Sequence, residues 1–272
     1  MVKDVKDKLV LITGGAGGIG RLMAFAFARR GARVAVWDVN GEALAALEAE
    51  ALKEGVVIRG MICDVSDRVA VYAQAAALTG ELGPPDILIN NAGVVSGGPL
   101  LDTPDEKIIR TININVFPLF WTLKAFLPSM IARNTGHIVT ISSAAGLIGV
   151  RGLGDYCASK FAAFGFDESL RMDLRRMGSR VRTTVVCPFF INTGMFRGVK
   201  TRFPLLMPIL NPDQAVQRIV RAVLRNRRRL IMPPLIYALY LLRLAPVFVL
   251  DMVSDFLGIS HSMDDFKGRE SL

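Results

Sequence analysis

Histidine and cysteine are scarce in this 272-residue chain: two of the first, His137 and His261, and three of the second, Cys63, Cys157 and Cys187. The cysteines lack metal-ligand spacing and no His-Glu-x-x-His segment exists, so neither a zinc site nor a disulfide framework is expected. Asn-x-Ser/Thr sequons are absent, and no cleavable leader precedes the first apolar run. A reducing, cytoplasmic compartment fits these absences. Missing too are the aromatic platforms and motifs of a nucleic-acid binder, despite a net charge of +9. Acids nearly vanish from one stretch: Arg197 to Arg229 holds nine basic residues against Asp213 alone. That run reads either as a solvated helix face or as a peripheral surface toward anionic lipid. No uninterrupted apolar run of about 20 residues is found in Leu230 to Val253, which is broken by Pro233, Pro234, Arg243 and Pro246. It is expected to pack at a subunit interface or to lie on a bilayer.

What the chain does contain is a regular alternation of apolar runs and helical patterns. Residues 9–13 form a β-rich run that ends in Gly14-Gly15-Ala16-Gly17-Gly18-Ile19-Gly20, and a helix follows from Arg21 to Arg30. Strand, glycine turn and helix together form a phosphate cradle, because the backbone comes close to a pyrophosphate and the helix N-terminus faces it. A second strand, Ala32 to Trp37, ends in Asp38. A carboxylate there accepts bonds from ribose hydroxyls and repels a 2′-phosphate, so NAD is expected over NADP. No lysine or arginine follows in residues 39–41.

The pattern continues with a helix capped by Asn40, strands at 56–62 and 86–89, and a long helix over 105–133. Strands follow at 137–141, 181–186 and 230–232, with helices over 155–177 and 212–226. This alternation predicts an α/β fold: a doubly wound, Rossmann-type, mostly parallel seven-stranded sheet with helices on both faces. One domain is expected, with residues 1–232 holding cofactor and catalysis and 233–272 an apolar extension of it. Pro118 is expected to bend the long helix by removing a backbone bond.

Tyr156 and Lys160 lie four apart on a predicted helix and so share a face. An ammonium beside a phenol favours the phenolate, which suits Tyr156 to move a proton at a substrate oxygen. The segment after the sixth strand is strongly apolar, with Phe189, Phe190, Met195 and Phe196 at its start and Gly194, Gly198, Pro204 and Pro208 interrupting any regular helix. Residues 189–211 are therefore expected to form an apolar lid over a lipophilic small molecule.

In order and spacing, Thr13-Gly14, Gly18 and Gly20, then Asn90-Asn91-Ala92-Gly93, Ser143 and Tyr156-x-x-x-Lys160 resemble the short-chain dehydrogenases/reductases over residues 8 to 232. The resemblance implies that Tyr156 is the general acid/base and that Lys160 lowers its pKa and binds the nicotinamide ribose. It implies that Ser143, not the neighbouring Ser142, orients the substrate oxygen. Asn115, preferred over Asn113, would hold a proton-relay water through its backbone. Gly14, Gly18, Ile19, Gly20 and Asp38 would hold the dinucleotide, with Asp64 and Val65 at the adenine. Asn90, Asn91, Ala92 and Gly93 would lie under the cofactor, and Pro188 with Thr193 would hold the carboxamide.

The sequence departs from that family at Phe189, where glycine is usual, and this suggests a bulky wall at the nicotinamide. Phe120-Trp121-Thr122, Cys187-Pro188-Phe189, Thr193-Gly194-Met195-Phe196 and the closing Met263 to Arg269 resemble the retinol and 17-beta-hydroxysteroid dehydrogenase branch more narrowly. Animal members of that branch carry an N-terminal anchor, which is not seen here. The resemblance implies a homodimer or homotetramer built through the two long helices. The expected function is an NAD-dependent alcohol dehydrogenase for retinoid- or steroid-like alcohols. Its rivals are an NADPH-dependent carbonyl reductase of the same fold and a non-catalytic lipid-surface protein.

Overall fold

A computed structural model describes residues 4–268; Arg269 of the closing motif lies outside them. The first half of the chain runs β1 (Leu9–Thr13), α1 (Gly18–Ala28), β2 (Arg33–Asp38), α2 (Gly41–Lys53), β3 (Ile58–Ile62), α3 (Arg68–Leu82) and β4 (Ile87–Asn90). The second half runs α4 (Asp105–Asn115), α5 (Phe117–Ala132), β5 (His137–Ile141), α6 (Gly154–Arg176), β6 (Arg182–Pro188), α7 (Pro212–Leu224), β7 (Arg229–Met232), α8 (Leu235–Leu242) and α9 (Val247–Phe256). The seven strands form one sheet in the order β3-β2-β1-β4-β5-β6-β7. Every pairing is parallel.

Alternation along the strands explains the two layers. Val10 and Ile12 of β1 join a core with Met23, Phe27, Ile219 and Val223 of α1 and α7. Leu9 and Leu11 point the other way, into a core with Val71, Phe126 and Leu170 of α3, α5 and α6. Both faces of the sheet are thus covered, so β1 is buried throughout its length.

The expected single helix over 105–133 is two. Val116 separates α4 from α5, and the Leu119 N–H turns back to Val116 O instead of continuing the helical ladder. Pro118 sits in the first turn of α5, where its missing N–H costs nothing. The interior proline is Pro128. By length and composition, Asp105–Ala132 could cross a membrane, with 28 residues and mean hydropathy 1.3. Here it is broken at Val116 and packs against α3 and α6 as a core element.

One buried carboxyl in this scaffold gives a pH-dependent expectation. Asp167 of α6 is 1% exposed. Its Oδ2 accepts a bond from Thr183 Oγ1 at 3.3 Å, and its Oδ1 is buried without a partner. Burial pushes the acid up to about 7, with Thr183 and Arg171 pulling it part of the way back. An unfolded aspartate titrates near ~3.9, so the unfolded chain gives up this proton first. Stability is therefore present below pH ~4 and is lost as pH rises through about 7. Asp167→Asn should raise stability by on the order of 2–4 kcal/mol at pH 8 and change it little at pH 4. Melting curves at the two pH values check this.

Candidate active site

Parallel pairing brings the carboxyl ends of all the strands to one edge, and the residues singled out from the sequence gather there. Thr13, last in β1, accepts the backbone N–H groups of Asn91 and Ala92 on its hydroxyl at 3.0 and 3.1 Å. Asn91 Nδ2 returns bonds to the carbonyls of Thr13 and Gly14, both at 2.9 Å. Asn91 is thus a staple between the glycine loop and β4. Asn90 turns to the opposite layer, where its Oδ1 accepts from Thr122 Oγ1 of α5 at 2.9 Å.

Helix α1 starts at Gly18, three residues earlier than expected, with Gly17 as a cap that offers no side chain and no acid in its first turn. Its first N–H groups are left for an anion, and the helix dipole favours one. A Cβ on Gly20 would strike Gly14 O and come within 2.6 Å of Asn91 Nδ2. Only glycine lets the loop fold this closely. Thr193 stands over the loop, 3.9 Å from where a Cβ on Gly18 would be. Ile19 packs on the α1 side of the core. At the end of β2, Asp38 Oδ2 accepts the Ala16 N–H at 3.0 Å, which holds a carboxylate beside the loop. Asp64 caps the turn after β3 by accepting from Ser66 N and Oγ. Val65 is buried in the core below. An unblocked helix N-terminus, a glycine cradle and a strand-end carboxylate fit a dinucleotide.

The side holding Tyr156 is built from α6 and the turn after β5. Ser142 Oγ donates to Lys160 O at 2.8 Å, so this serine serves α6, while Ser143 Oγ donates to Pro188 O at 3.4 Å, accepts the Ala145 N–H at 3.1 Å and lies near enough to Tyr156 to act on its phenol. Lys160, 4% exposed, donates to Ile141 O at 3.0 Å, with its Nζ 5.5 Å from the Tyr156 ring centre. Burial pushes the phenol above its usual range, and the Ser143 hydroxyl pulls it part of the way back. Burial also lowers Lys160 to about 8. Depression of the phenol by Lys160 is thus not the dominant effect in this state, because both groups are fully desolvated. Cys187, below Lys160, is pushed up to about 12 by the same burial.

Asn115 is buried while Asn113 is half-buried. Its Oδ1 accepts Val94 N at 2.8 Å, and its Nδ2 donates to Val94 O at 3.0 Å and Ser159 Oγ at 2.9 Å. Ser159 Oγ passes the connection on to Tyr156 O at 2.7 Å. Asn115 therefore ties the loop after β4 to the helix carrying Tyr156. Gly93 lies between them, with space for a Cβ only 3.3 Å from Asn115 Oδ1 and 3.4 Å from Lys160 Nζ. The break at Val116 leaves the Asn115 carbonyl out of the helical ladder.

Beyond Pro188, the last residue of β6, Phe189 and Phe190 are buried with ring centres 4.5 Å apart. Phe196 meets Phe190 at 5.0 Å and the Tyr156 ring edge-on at 5.7 Å. These three, with Ser143, Tyr156 and apolar neighbours, line a cavity of about 20 Å³. Met195 is not among its walls. A larger cavity, about 360 Å³, lies elsewhere, between α1 and α7, and holds none of these residues.

Three contributors carry no sequence signal. Asp155 accepts from Thr111 Oγ1 at 2.7 Å and from Ser96 Oγ, anchoring the start of α6 to α4 and to the loop after β4. Gly146 lets the turn after Ser143 lie against Lys160 O. Ile259, from beyond α9, lines the cavity. Each acts through contacts 14 or more residues distant, which no local pattern records.

The short chain dehydrogenase family model matches residues 8–202. The mouse protein named epidermal retinol dehydrogenase 2 is 45% identical over 98% of this chain and 88% of its own length. Human retinol dehydrogenase 10 is 38% identical over 97% of this chain and 86% of its own. Among solved structures, a short chain dehydrogenase/reductase from Burkholderia phymatum in complex with NAD superposes with a TM-score of 0.81. It is 28% identical, over 90% of this chain and 96% of that one. A metagenomic short-chain oxidoreductase in complex with NADP gives a TM-score of 0.69 at 30% identity, over 82% and 92%. With its sheet order, its glycine loop and its Ser143, Tyr156 and Lys160, this chain belongs to the short-chain dehydrogenase family and is an NAD(P)-dependent oxidoreductase.

Proposed function

We propose that the protein oxidises lipophilic secondary or allylic alcohols, reversibly and with NAD, and that retinoids and steroids are the leading substrate classes. The observation that carries this is the placing of Tyr156 and Ser143 against a wall of Phe189, Phe190 and Phe196. A polar pair in an apolar box selects an oily molecule with one hydroxyl or carbonyl. The relatives named as retinol dehydrogenases support the same class. When bound, the nicotinamide supplies the hydride acceptor. Ser143 orients the substrate oxygen, Tyr156 takes or gives its proton, and Lys160, through the turn at Gly93, holds a positive charge near both. Asn115 positions that turn. An absorbance assay for reduced NAD over retinol, hydroxysteroid and long-chain alcohols tests the reading. No turnover of any of them would sink it.

Asp38 supports NAD. Its carboxylate is fixed beside the glycine loop by Ala16 and Asn40 N–H groups and would face a 2′-phosphate. Titration should give a Kd for NAD at least about tenfold below that for NADP, the cost of roughly one unshielded like-charge contact. Equal constants would remove the preference and favour the NADPH-dependent reductase.

Two surfaces support interactions beyond the substrate. Helix α9 has no buried residue; Leu244, Val247, Phe248 and Phe256 are exposed, as is Leu205 of the lid, whose Phe203 packs on Phe256 at 5.4 Å. This supports peripheral contact with a lipid surface, and vesicle co-sedimentation tests it. On α5, Phe117 and Phe120 are exposed, and Phe120 packs on Phe166 of α6 at 4.8 Å. This supports a dimer through those helices, and native mass measurement tests it.

A further inference from the structure

The closing motif Met263 to Lys267 plays no part in the chemistry above, yet it is held against every rim of the cavity over Tyr156. Backbone bonds join it to the lid: Lys267 N–H to Arg197 O at 2.9 Å and Lys200 N–H to Ser262 O at 3.3 Å. Ion pairs add to them, Lys200 with Asp265 at 2.7 Å and Arg151 with Asp264 at 2.8 Å. Arg151 belongs to the turn that leads into α6. On the third rim, the loop after β4, the Phe266 ring rests on Gly97 so closely that a Cβ there would strike it. The other side of that ring faces Phe196 at 6.4 Å, and Phe196 is the residue standing over Tyr156. Ile259 and Met263 complete the attachment by packing into the same apolar cluster as Tyr156.

The closed cavity has about 20 Å³, room for one or two waters, whereas sites for drug-sized ligands run to roughly 300 Å³ or more. A lipophilic alcohol therefore enters only after part of the wall moves. The floor, made by Ser143, Ala144 and Tyr156, is fixed to β5 and α6. The wall that can move is the lid at Phe196, and what holds it down is the closing motif.

We propose that Ile259 to Lys267 is the latch of the substrate lid, and that Phe266 is a specificity-determining residue setting how bulky an alcohol reaches Tyr156. Exposed ion pairs and two backbone bonds are weak fastenings, so the latch opens without unfolding the core. Phe266 acts as the bolt: seated on Gly97 it keeps Phe196 over the phenol, and withdrawn it frees Phe196 to swing out. The proposal rests on the reading that this cavity receives a lipophilic alcohol.

The test compares wild type with Phe266→Ala, which removes the bolt, and Gly97→Ala, which pushes it out while keeping the ring. Substrates are 2-octanol, all-trans-retinol and a rigid 17-hydroxysteroid. Both variants should raise kcat/KM for the steroid by about tenfold relative to 2-octanol, mostly through KM, with Kd for NAD unchanged. An equal change for all three alcohols, or a fall confined to melting temperature, would show a merely structural role and overturn the proposal. Binding of 1-anilinonaphthalene-8-sulfonate and amide exchange at Lys200 and Lys267 are read alongside. Both should increase in Phe266→Ala and Gly97→Ala, and absence of either increase also overturns it. If wild type oxidises none of the alcohols, the substrate reading fails while these two readouts still decide the latch.

Discussion

Tyr156→Phe should lower kcat for alcohol oxidation by about 10³- to 10⁴-fold, leaving Kd for NAD within about twofold. Among the described residues at the cavity, Ser143 Oγ is turned to Pro188 O and Lys160 to Ile141 O, which leaves the phenol of Tyr156 as the group expected to exchange a proton with a substrate oxygen. Phenylalanine keeps the ring that packs on Phe196, so lost activity reports lost proton transfer and not a collapsed cavity. The wild-type pH profile should carry the same signature. Burial raises the phenol and lowers Lys160 to about 8, so at neutral pH the pair holds the proton on tyrosine. Oxidation needs that proton gone and should strengthen as pH rises, by about tenfold per unit below the apparent pKa of the coupled pair. Reduction needs it present and should weaken over the same range. A flat profile in wild type, or full turnover in Tyr156→Phe, would remove Tyr156 from the mechanism.

Gly146→Ala should cost activity nearly as heavily, although Gly146 touches no reacting atom. It ends the single 3₁₀ turn that carries Ser143 past α6. An added Cβ would strike Lys160 O and sit 2.5 Å from Ser142 Oγ and 2.7 Å from the Lys160 carbonyl carbon. Two of those are backbone atoms inside a helix, so the turn has to lift. Overpacking of this kind costs about 1–3 kcal/mol. Lifting the turn breaks the Ser142 bond and carries Ser143 away from Tyr156. A displacement near 1 Å at a positioning group is worth about 10²-fold in kcat/KM. Steady-state kinetics combined with a melting curve measure both parts. Activity within threefold of wild type would show that the turn accommodates a methyl after all.

The sheet was readable because parallel strands buried on both faces leave continuous apolar runs, as in Leu-Val-Leu-Ile at 9–12, and because turn residues such as Gly14, Asn40 and Asn91 follow some of them. The helix break at Val116 was not readable in its place. Pro118 announces a disturbance, but whether the helix bends around it or restarts before it depends on Asn115 having Val94 and Ser159 as partners. The site residues divide the same way. Ser143, Tyr156 and Lys160 have a spacing that survives as a pattern, and so does Asp38 at a strand end. Asn91, expected as a cofactor contact, also staples the glycine loop to β4, which its place in the sequence did not announce. Asp155, Gly146 and Ile259 left no trace, since each matters only for what the fold places beside it. Burial is also invisible in sequence. The Tyr156–Lys160 spacing suggested a depressed phenol, and desolvation of both groups reverses the sign in this state.

The near-absence of space above Tyr156 has a thermodynamic consequence. If the proposed latch has to open before substrate enters the cavity of about 20 Å³, measured affinity equals intrinsic affinity scaled by the open population. Each tenfold rarity of the open form weakens apparent binding tenfold without altering any contact in the complex. Substrate selection by this protein is therefore divided between two quantities, the fit of the molecule against Phe189 and Phe190, and the conformational work of making room for it.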